Sequence, residues 1–144
     1  MIALGSDHAG YDLKMAVAQY LTQKGIEFID CGCYEGEACD YPNAAKDTCL
    51  KVVDGTCDKA LLFCGTGIGI SMAANKVKGI RACACSDYFS AKYTRLHNDA
   101  NVLCLGGRVV GAGLACELVD IFLTTEFEGG RHQRRVDLIT AMEE

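Results

Sequence analysis

A glycine-rich segment with a cysteine directly before it is the part of this sequence best suited to chemistry. The segment reads Cys64-Gly65-Thr66-Gly67-Ile68-Gly69 and follows an apolar run. Glycines let the backbone approach a ligand closely, and free N–H groups at the start of a helix attract a phosphate or an oxyanion formed during a reaction. The same surroundings favour the thiolate form of Cys64, which can then act as a base or a nucleophile.

Two other interpretations of the glycine-rich segment stay open at this point. The segment is one residue short of the G-x-G-x-x-G fingerprint of dinucleotide-binding proteins, although Asp87 lies about 20 residues farther on, where those proteins have a ribose-binding acid. The segment could also be a tight turn without a ligand. Since the chain contains ten cysteines, Cys64 could equally be a buried, unreactive thiol.

Polar residues with acid–base or anion-binding capacity follow other predicted strands. Asp7-His8 follows the first strand, Arg108 follows the fifth, and His97-Asn98 ends the helix before the fifth. In open α/β sheets, ligands bind beyond the carboxyl ends of the strands. We therefore predict that these residues meet the glycine-rich segment at one edge of the sheet. Each also has a structural interpretation, such as a favourable helix-dipole position for Asp7 or a surface position for His97.

A cluster of basic residues stands out near the end of an otherwise acidic chain. Residues 131–135 read Arg-His-Gln-Arg-Arg, whereas the whole chain has 14 basic and 19 acidic residues and a net charge of −5. The acidic balance argues against a nucleic-acid or anionic-membrane surface. A basic run this short is as readily a solvated helix face as a binding site.

Alternating strands and helices must position these residues. Apolar runs rich in β-branched residues predict strands at 2–6, 26–31, 59–64, 79–84 and 101–105. The spacing of apolar residues predicts helices at 11–24, 42–53, 70–76, 88–95 and 114–123. Gly25 is expected to end the first of these helices and Pro42 to begin the second. A last helix is predicted at 136–142, within a segment of about 131–143. This alternation is typical of a parallel sheet covered by helices on both faces, so we predict one α/β domain over residues 1–144.

Length and composition exclude several classes of protein. With 144 residues, 50% of them apolar and 23% charged, the chain can bury a core and is neither disordered nor of low complexity. It has no apolar run near the roughly 20 residues of a membrane span and no basic start of a secretory signal. We therefore predict a cytoplasmic protein with mostly buried thiols and, because no two cysteines show C-x-x-C spacing, no metal site.

Several short motifs, taken together and in order, resemble one enzyme family over essentially the whole chain. The motifs are Asp7-His8-Ala9-Gly10, Tyr41-Pro42, Cys64-Gly65-Thr66-Gly67-Ile68-Gly69, Ala73-Ala74-Asn75-Lys76, His97-Asn98-Asp99-Ala100-Asn101 and Gly129-Gly130-Arg131-His132. They are similar to those of the ribose-5-phosphate isomerase B family and its relatives, the galactose-6-phosphate and allose-6-phosphate isomerases. The resemblance implies a Rossmann-like three-layer sandwich with a five-stranded parallel sheet, a homodimer, and aldose–ketose isomerisation without a cofactor.

The resemblance also implies roles for individual residues. Cys64 matches the base that moves a proton between C1 and C2 of the open sugar, and His97 matches the residue that helps to open the furanose ring. Thr66 and Asp7 match residues that handle protons on the sugar oxygens, and Asn98 and Tyr41 match residues that contact sugar hydroxyls. The backbone that stabilises the cis-enediolate is matched by Gly65, Gly67, Ile68 and Gly69. The phosphate contacts are matched by His8, Arg108, Arg131 and Arg135. Ile70 is a departure, because one branch of the family has a proton-transferring glutamate there, so Cys64 is the base we predict.

These matches lead to an expected function with two alternatives. We expect interconversion of D-ribose 5-phosphate and D-ribulose 5-phosphate in the pentose phosphate pathway, by a homodimer or a tetramer. The alternatives are the same chemistry on a six-carbon sugar phosphate and a sugar-phosphate or nucleotide binding module without turnover. The presence of both Cys64 and His97 disfavours the binding module, since binding alone needs neither residue. In the family, His97 and Arg108 reach into the pocket of the other subunit, and we expect the C-terminal helix to pack there too. We expect no metal, nucleic-acid or membrane partner.

Overall fold

Strands and helices alternate along the whole described chain. The computed structural model describes residues 1–143, and within them lie five strands and six helices. The strands are β1 (Ile2–Ser6), β2 (Phe28–Asp30), β3 (Lys59–Cys64), β4 (Ala82–Ala84) and β5 (Val102–Gly106). The helices are α1 (Tyr11–Gln23), α2 (Tyr41–Val53), α3 (Ile68–Ala74), α4 (Tyr88–Asn98), α5 (Ala112–Thr124) and α6 (Arg131–Thr140).

The strands form one parallel sheet in the order β2-β1-β3-β5-β4. Because side chains alternate along a strand, β3 contributes to both faces of the sheet. Leu61 and Phe63 pack with α1, α4 and α5 on one face, whereas Leu62 and Cys64 pack with α2 and α3 on the other. Helices therefore cover both faces, and the predicted three-layer α/β sandwich is confirmed.

Several helix boundaries differ from the predicted ones, and the changes at the start of α3 and the end of α4 affect functional residues. α3 begins at Ile68 instead of residue 70, because Gly67 adopts a left-handed conformation (φ 81°) that closes the turn after β3. α4 continues through Asn98 and ends at Asp99, whose backbone is also left-handed (φ 47°). As a result, His97 lies in the last turn of α4. The first turn of this helix, at the opposite end, lies beside β4.

One pair of cysteines departs from the predicted pattern of buried thiols. Cys33 and Cys39 form a disulfide that closes the loop between β2 and α2. The other eight cysteines are free, and five of them are buried. Burial raises the pKa of several of these thiols, for example that of Cys49 to about 12, which makes them poor nucleophiles.

Among residues 1–143, no helix is both long enough and apolar enough to cross a membrane.

Candidate active site

The glycine-rich segment forms a tight turn that surrounds the thiol of Cys64. Cys64 is the last residue of β3, and its side chain is buried. The backbone N–H of Gly67 donates a hydrogen bond to the Sγ atom of Cys64 over 3.1 Å. A Cβ atom on Gly67 would lie 3.0 Å from the carbonyl carbon of Leu105, and its φ of 81° is unfavourable for other residues. The turn therefore needs a glycine here in order to direct an N–H group at the sulfur.

The turn between β1 and α1 packs against the same end of β3. The backbone N–H of Asp7 donates to the carbonyl of Phe63 over 3.1 Å, and the Oδ1 atom of Asp7 accepts from the N–H of Gly10 over 2.9 Å. A Cβ atom on Gly10 would lie 2.3 Å from the carbonyl oxygen of Phe63. This close approach of two backbones holds the Asp7 carboxylate, which is buried, at the carboxyl edge of the sheet. The exposed side chain of His8 lies on the same turn, with Nδ1 3.2 Å from the carbonyl oxygen of Cys39.

Arg108 and Tyr41 lie on either side of the glycine-rich segment. The N–H of Arg108 donates to the carbonyl of Gly65 over 3.0 Å, and its Nη1 atom lies 3.4 Å from where a Cβ of Gly65 would be. The ring of Tyr41, at the start of α2, comes within 2.9 Å of the corresponding position on Gly69. Arg108 therefore lies beside the glycine-rich segment of its own chain, and its expected reach into the other subunit's pocket stays a prediction.

Thr66 lies at the exposed tip of the same turn. Its Oγ1 atom accepts a hydrogen bond from the N–H of Ile68 over 3.1 Å, which leaves the hydroxyl proton available to donate. Ile70 is fully buried, so the position that holds a glutamate in one branch of the family contributes only to the core here. Cys64, Asp7 and Thr66 are therefore candidates at this edge for exchanging a proton with a sugar.

His97 and Asn98 lie at the opposite edge of the sheet, so the prediction that all these residues meet at one edge is wrong. The carbonyl of Asn98 accepts from the Nε atom of Arg81, which precedes β4, over 3.1 Å. The carbonyl of Asn101 accepts from the N–H of Ala60 at the start of β3. Since β3 rises about 3.3 Å per residue, four steps from Ala60 to Cys64 separate the two edges by roughly 13 Å.

The direction of α4 explains this error. A helix that connects two parallel strands starts at the carboxyl edge of one and must end at the amino edge of the next. Asp87 caps the start of α4, where its carboxylate accepts from the N–H of Ser90 over 2.8 Å. His97 lies three turns later, so its place at the amino edge follows from the predicted alternation of strands and helices.

The basic residues of α6 join His97 at the amino edge. The N–H of Glu128 donates to the carbonyl of Leu96 over 3.1 Å and brings the start of α6 against the end of α4. The ring of His132 stacks on the ring of His97, with centroids 4.1 Å apart and planes 13° from parallel. Arg131 and Arg135 are exposed on the same helix.

Electrostatics at this edge favour a neutral His132. Burial lowers the pKa of its imidazole, and the proximity of His97 and Arg131 lowers it further. Sequence reasoning missed the contact between His132 and His97, because it joins side chains of two separate helices and no local spacing signals it.

The site residues therefore form two groups at opposite edges of one chain. The carboxyl-edge group comprises Asp7, His8, Tyr41, Cys64, Gly65, Thr66, Gly67, Ile68, Gly69 and Arg108. The amino-edge group comprises His97, Asn98, Arg131 and Arg135. The first group can hold a thiolate beside backbone donors, and the second offers an imidazole and two guanidinium groups that suit a phosphate.

The fold and the carboxyl-edge group define a class of protein, namely a parallel α/β sandwich with a thiol and a glycine-rich turn at the ligand-binding edge. Comparison with known proteins is consistent with the sequence resemblance. A family model described as Ribose/Galactose Isomerase matches residues 2–139, and the chain belongs to this family.

Individual relatives match along almost their whole length. The chain is 50% identical over 143 residues to ribose-5-phosphate isomerase B of Escherichia coli strain K12, covering 99% of this chain and 96% of that protein. The solved structure of Clostridium thermocellum ribose-5-phosphate isomerase B shares 49% identity and a TM-score of 0.96, covering 98% of this chain and 95% of the other. The Mycoplasma genitalium enzyme, solved with bound ribulose-5-phosphate, shares 42% identity and a TM-score of 0.92, covering 98% and 94%.

Proposed function

We propose that this protein interconverts D-ribose 5-phosphate and D-ribulose 5-phosphate, without a cofactor, in the pentose phosphate pathway of the cytoplasm. The observation that carries the proposal is the thiol of Cys64, which accepts the N–H of Gly67 at the ligand-binding edge. The relatives named ribose-5-phosphate isomerase B, at up to 50% identity, support the five-carbon substrate.

The proposed chemistry begins with the open-chain aldose. The Cys64 thiolate removes the proton from C2, and the electron pair moves toward the C1 carbonyl to give a cis-enediolate. The same thiol then returns the proton to C1, while the proton of the C2 hydroxyl passes to O1 and leaves a ketone at C2. We assign this second transfer to the Thr66 hydroxyl and the Asp7 carboxylate, which lie on the turns beside Cys64.

The backbone of the glycine-rich turn stabilises the charge that develops in this reaction. N–H groups that are already oriented cost no reorganisation when the enediolate forms, and loss of one such donor typically costs about 10²–10³ in rate. Arg108, beside Gly65, adds positive charge at the same edge. Ring opening of the furanose requires proton transfer at the ring oxygen, which we assign to His97.

A complete site in this proposal requires two chains. His97, Asn98, Arg131 and Arg135 lie roughly 13 Å or more from Cys64 within one chain, which is farther than a pentose phosphate can bridge while touching both groups productively. In a C2 dimer, the amino edge of one subunit can face the carboxyl edge of its partner, and one interface then creates two equivalent sites. We therefore propose a homodimer with shared sites.

The test is turnover of three aldose phosphates by one purified preparation. We expect the kcat/KM for ribose 5-phosphate to exceed those for allose 6-phosphate and galactose 6-phosphate, with Cys64→Ala protein as the control for contaminating isomerase. A higher kcat/KM for a six-carbon substrate would show that the enzyme is a hexose-phosphate isomerase. The comparison is needed because enzymes that share this chemistry distinguish one extra carbon by the shape of the pocket. Binding of all three without turnover would identify a binding module and contradict the proposal.

A further inference from the structure

A cluster of metal-binding side chains lies at the amino edge, outside the glycine-rich turn. His97, Glu128 and His132 each offer one ligand atom, and these atoms all lie within 4.8 Å of one another. The carboxylate of Glu128 is half exposed, so a solvated ion can reach the cluster. Two imidazoles with one carboxylate are the ligand set of many open zinc sites.

His132 supplies an independent indication that a ligand belongs here. Its side chain is about 95% buried, and its Nε2 atom has no hydrogen-bond partner among residues 1–143. The nearest acceptor, the Oε1 atom of Glu128, is 3.7 Å away, which is too far for a hydrogen bond. A buried polar atom without a partner costs about 1–3 kcal/mol and is uncommon in native proteins. An ion between Nε2 and the carboxylate would satisfy both groups.

We propose that His97, Glu128 and His132 bind a divalent transition-metal ion of the Zn²⁺ type. Such ions are bound at 2.0–2.2 Å by imidazole nitrogen and carboxylate oxygen. The two rings are stacked in nearly parallel planes, so their lone pairs converge only after the half-buried ring of His97 tilts. The carboxylate of Glu128 closes the remaining distance by a side-chain rotation, and solvent supplies the fourth ligand.

Metal binding at this cluster inhibits the isomerase, a consequence that rests on the proposed function. A ring nitrogen of His97 that coordinates an ion cannot exchange a proton with the furanose oxygen. Micromolar Zn²⁺ is therefore expected to slow ribose 5-phosphate turnover, and a chelator to restore it. Mg²⁺ and Ca²⁺ prefer oxygen ligands, so millimolar amounts of either should leave the rate unchanged.

The binding test uses Co²⁺ as a spectroscopic probe of the full-length protein. The background variant carries Cys33→Ser and Cys39→Ser, because these two cysteines, once their disulfide is reduced, form a second cluster of possible ligands with Glu37. We expect one equivalent of Co²⁺ to give visible d–d bands without a thiolate charge-transfer band. Glu128→Gln should weaken Co²⁺ binding by at least about tenfold, the loss typical of even an outer-shell partner.

A matched control separates loss of a ligand from loss of a charge. Glu126→Gln removes the same charge from an exposed residue on the same loop, outside the cluster, and should leave Co²⁺ affinity unchanged. Equal weakening by both variants, or no saturable binding by the background protein, would overturn the metal site. His132→Gln gives a second check. Because it removes a ligand, the d–d bands of bound Co²⁺ should lose intensity even if the substitution perturbs the fold only slightly.

The activity test separates this inference from the proposed function. In the background protein, Zn²⁺ inhibition should follow the occupancy measured by titration, and Glu128→Gln should be resistant with unchanged basal turnover. Occupancy without inhibition would contradict the coupling to His97. If the protein had no isomerase activity, the proposed function would fail, whereas the Co²⁺ spectra would still decide whether the cluster binds metal.

Discussion

Among the residues that the structure describes, Cys64 differs from the other buried thiols because a backbone N–H group points at its sulfur. We expect Cys64→Ala to lower kcat for ribose 5-phosphate by about 10²–10⁴-fold or more, since the base for both proton transfers at carbon is lost. The affinity for a pentitol 5-phosphate, which cannot isomerise, should change little because the phosphate contacts remain. Steady-state kinetics and calorimetric titration measure the two effects. Near-normal turnover would show that another group is the base.

A second cysteine variant controls for general damage to the core. Cys49 is fully buried in α2 on the same face of the sheet and has no backbone N–H directed at its sulfur in the described residues. Cys49→Ala should cost some stability through the cavity it leaves, but kcat should stay close to that of the unmodified protein. A similar loss of kcat in both variants would attribute the effect at Cys64 to packing.

His132 makes stability depend on pH. Burial lowers the pKa of its imidazole in the folded protein, whereas an unfolded histidine titrates near 6.5. Between these two values the unfolded chain binds more protons, so the free energy of unfolding falls as the pH drops below about 6.5. We expect this fall, followed by urea denaturation between about pH 7 and 5, to be steeper for the unmodified protein than for His132→Gln. Parallel curves would assign the pH dependence to other groups.

At the scale of elements, Gly10 sets how closely the β1–α1 turn approaches β3. Its backbone (φ −95°, ψ −2°) is one that alanine adopts easily, so Gly10→Ala tests the close contact alone. The added Cβ would lie 2.3 Å from the carbonyl carbon and oxygen of Phe63, and we expect a loss of about 3 kcal/mol or more in the free energy of unfolding. Thermal or urea denaturation measures this loss.

The matched variant should have the opposite sign. Gly113 lies in the first turn of α5, and a Cβ there would meet no atom within 4 Å. Gly113→Ala should therefore stabilise the protein by about 0.5 kcal/mol, because it lowers the conformational entropy of the unfolded chain. If both variants were equally destabilising, the contact between Gly10 and β3 would not be the cause.

The elements could be predicted from sequence much better than the positions of the functional residues. Apolar runs gave the bounds of β1 and β3 to the residue, because buried parallel strands are nearly continuous in hydrophobicity. Local pattern also identified Cys64 and its glycines. It placed His97 at the wrong edge, since that position depends on where α4 ends. The Cys33–Cys39 pairing and the contact of His97 with His132 depend on tertiary packing, which no local pattern encodes.

At the scale of the whole molecule, the positions of the two groups of site residues support the proposed dimer. Cys64 is at the carboxyl edge and His97 is at the amino edge, separated by the length of β3. No rearrangement of a loop brings them together, because each is fixed by an element that packs on the sheet. If both groups act on one sugar phosphate, they come from different chains. Arg108 stays with the carboxyl-edge group of its own chain.

Subunit exchange between two impaired variants tests whether the site is shared. Cys64→Ala and His97→Ala proteins are mixed in equal amounts under conditions that allow dimers to exchange, and turnover of ribose 5-phosphate is measured. In a shared site, each mixed dimer contains one intact site and one site with both lesions. About half of the dimers are mixed after random pairing, so about a quarter of the unmodified activity should return.

The His97→Ala protein can still turn over sugar that opens spontaneously, and its own rate is therefore subtracted. If His97 acted within its own chain, every site would keep a lesion and mixing would restore nothing. Mixing without exchange, at high protein concentration and low temperature, gives the baseline against which the gain is judged.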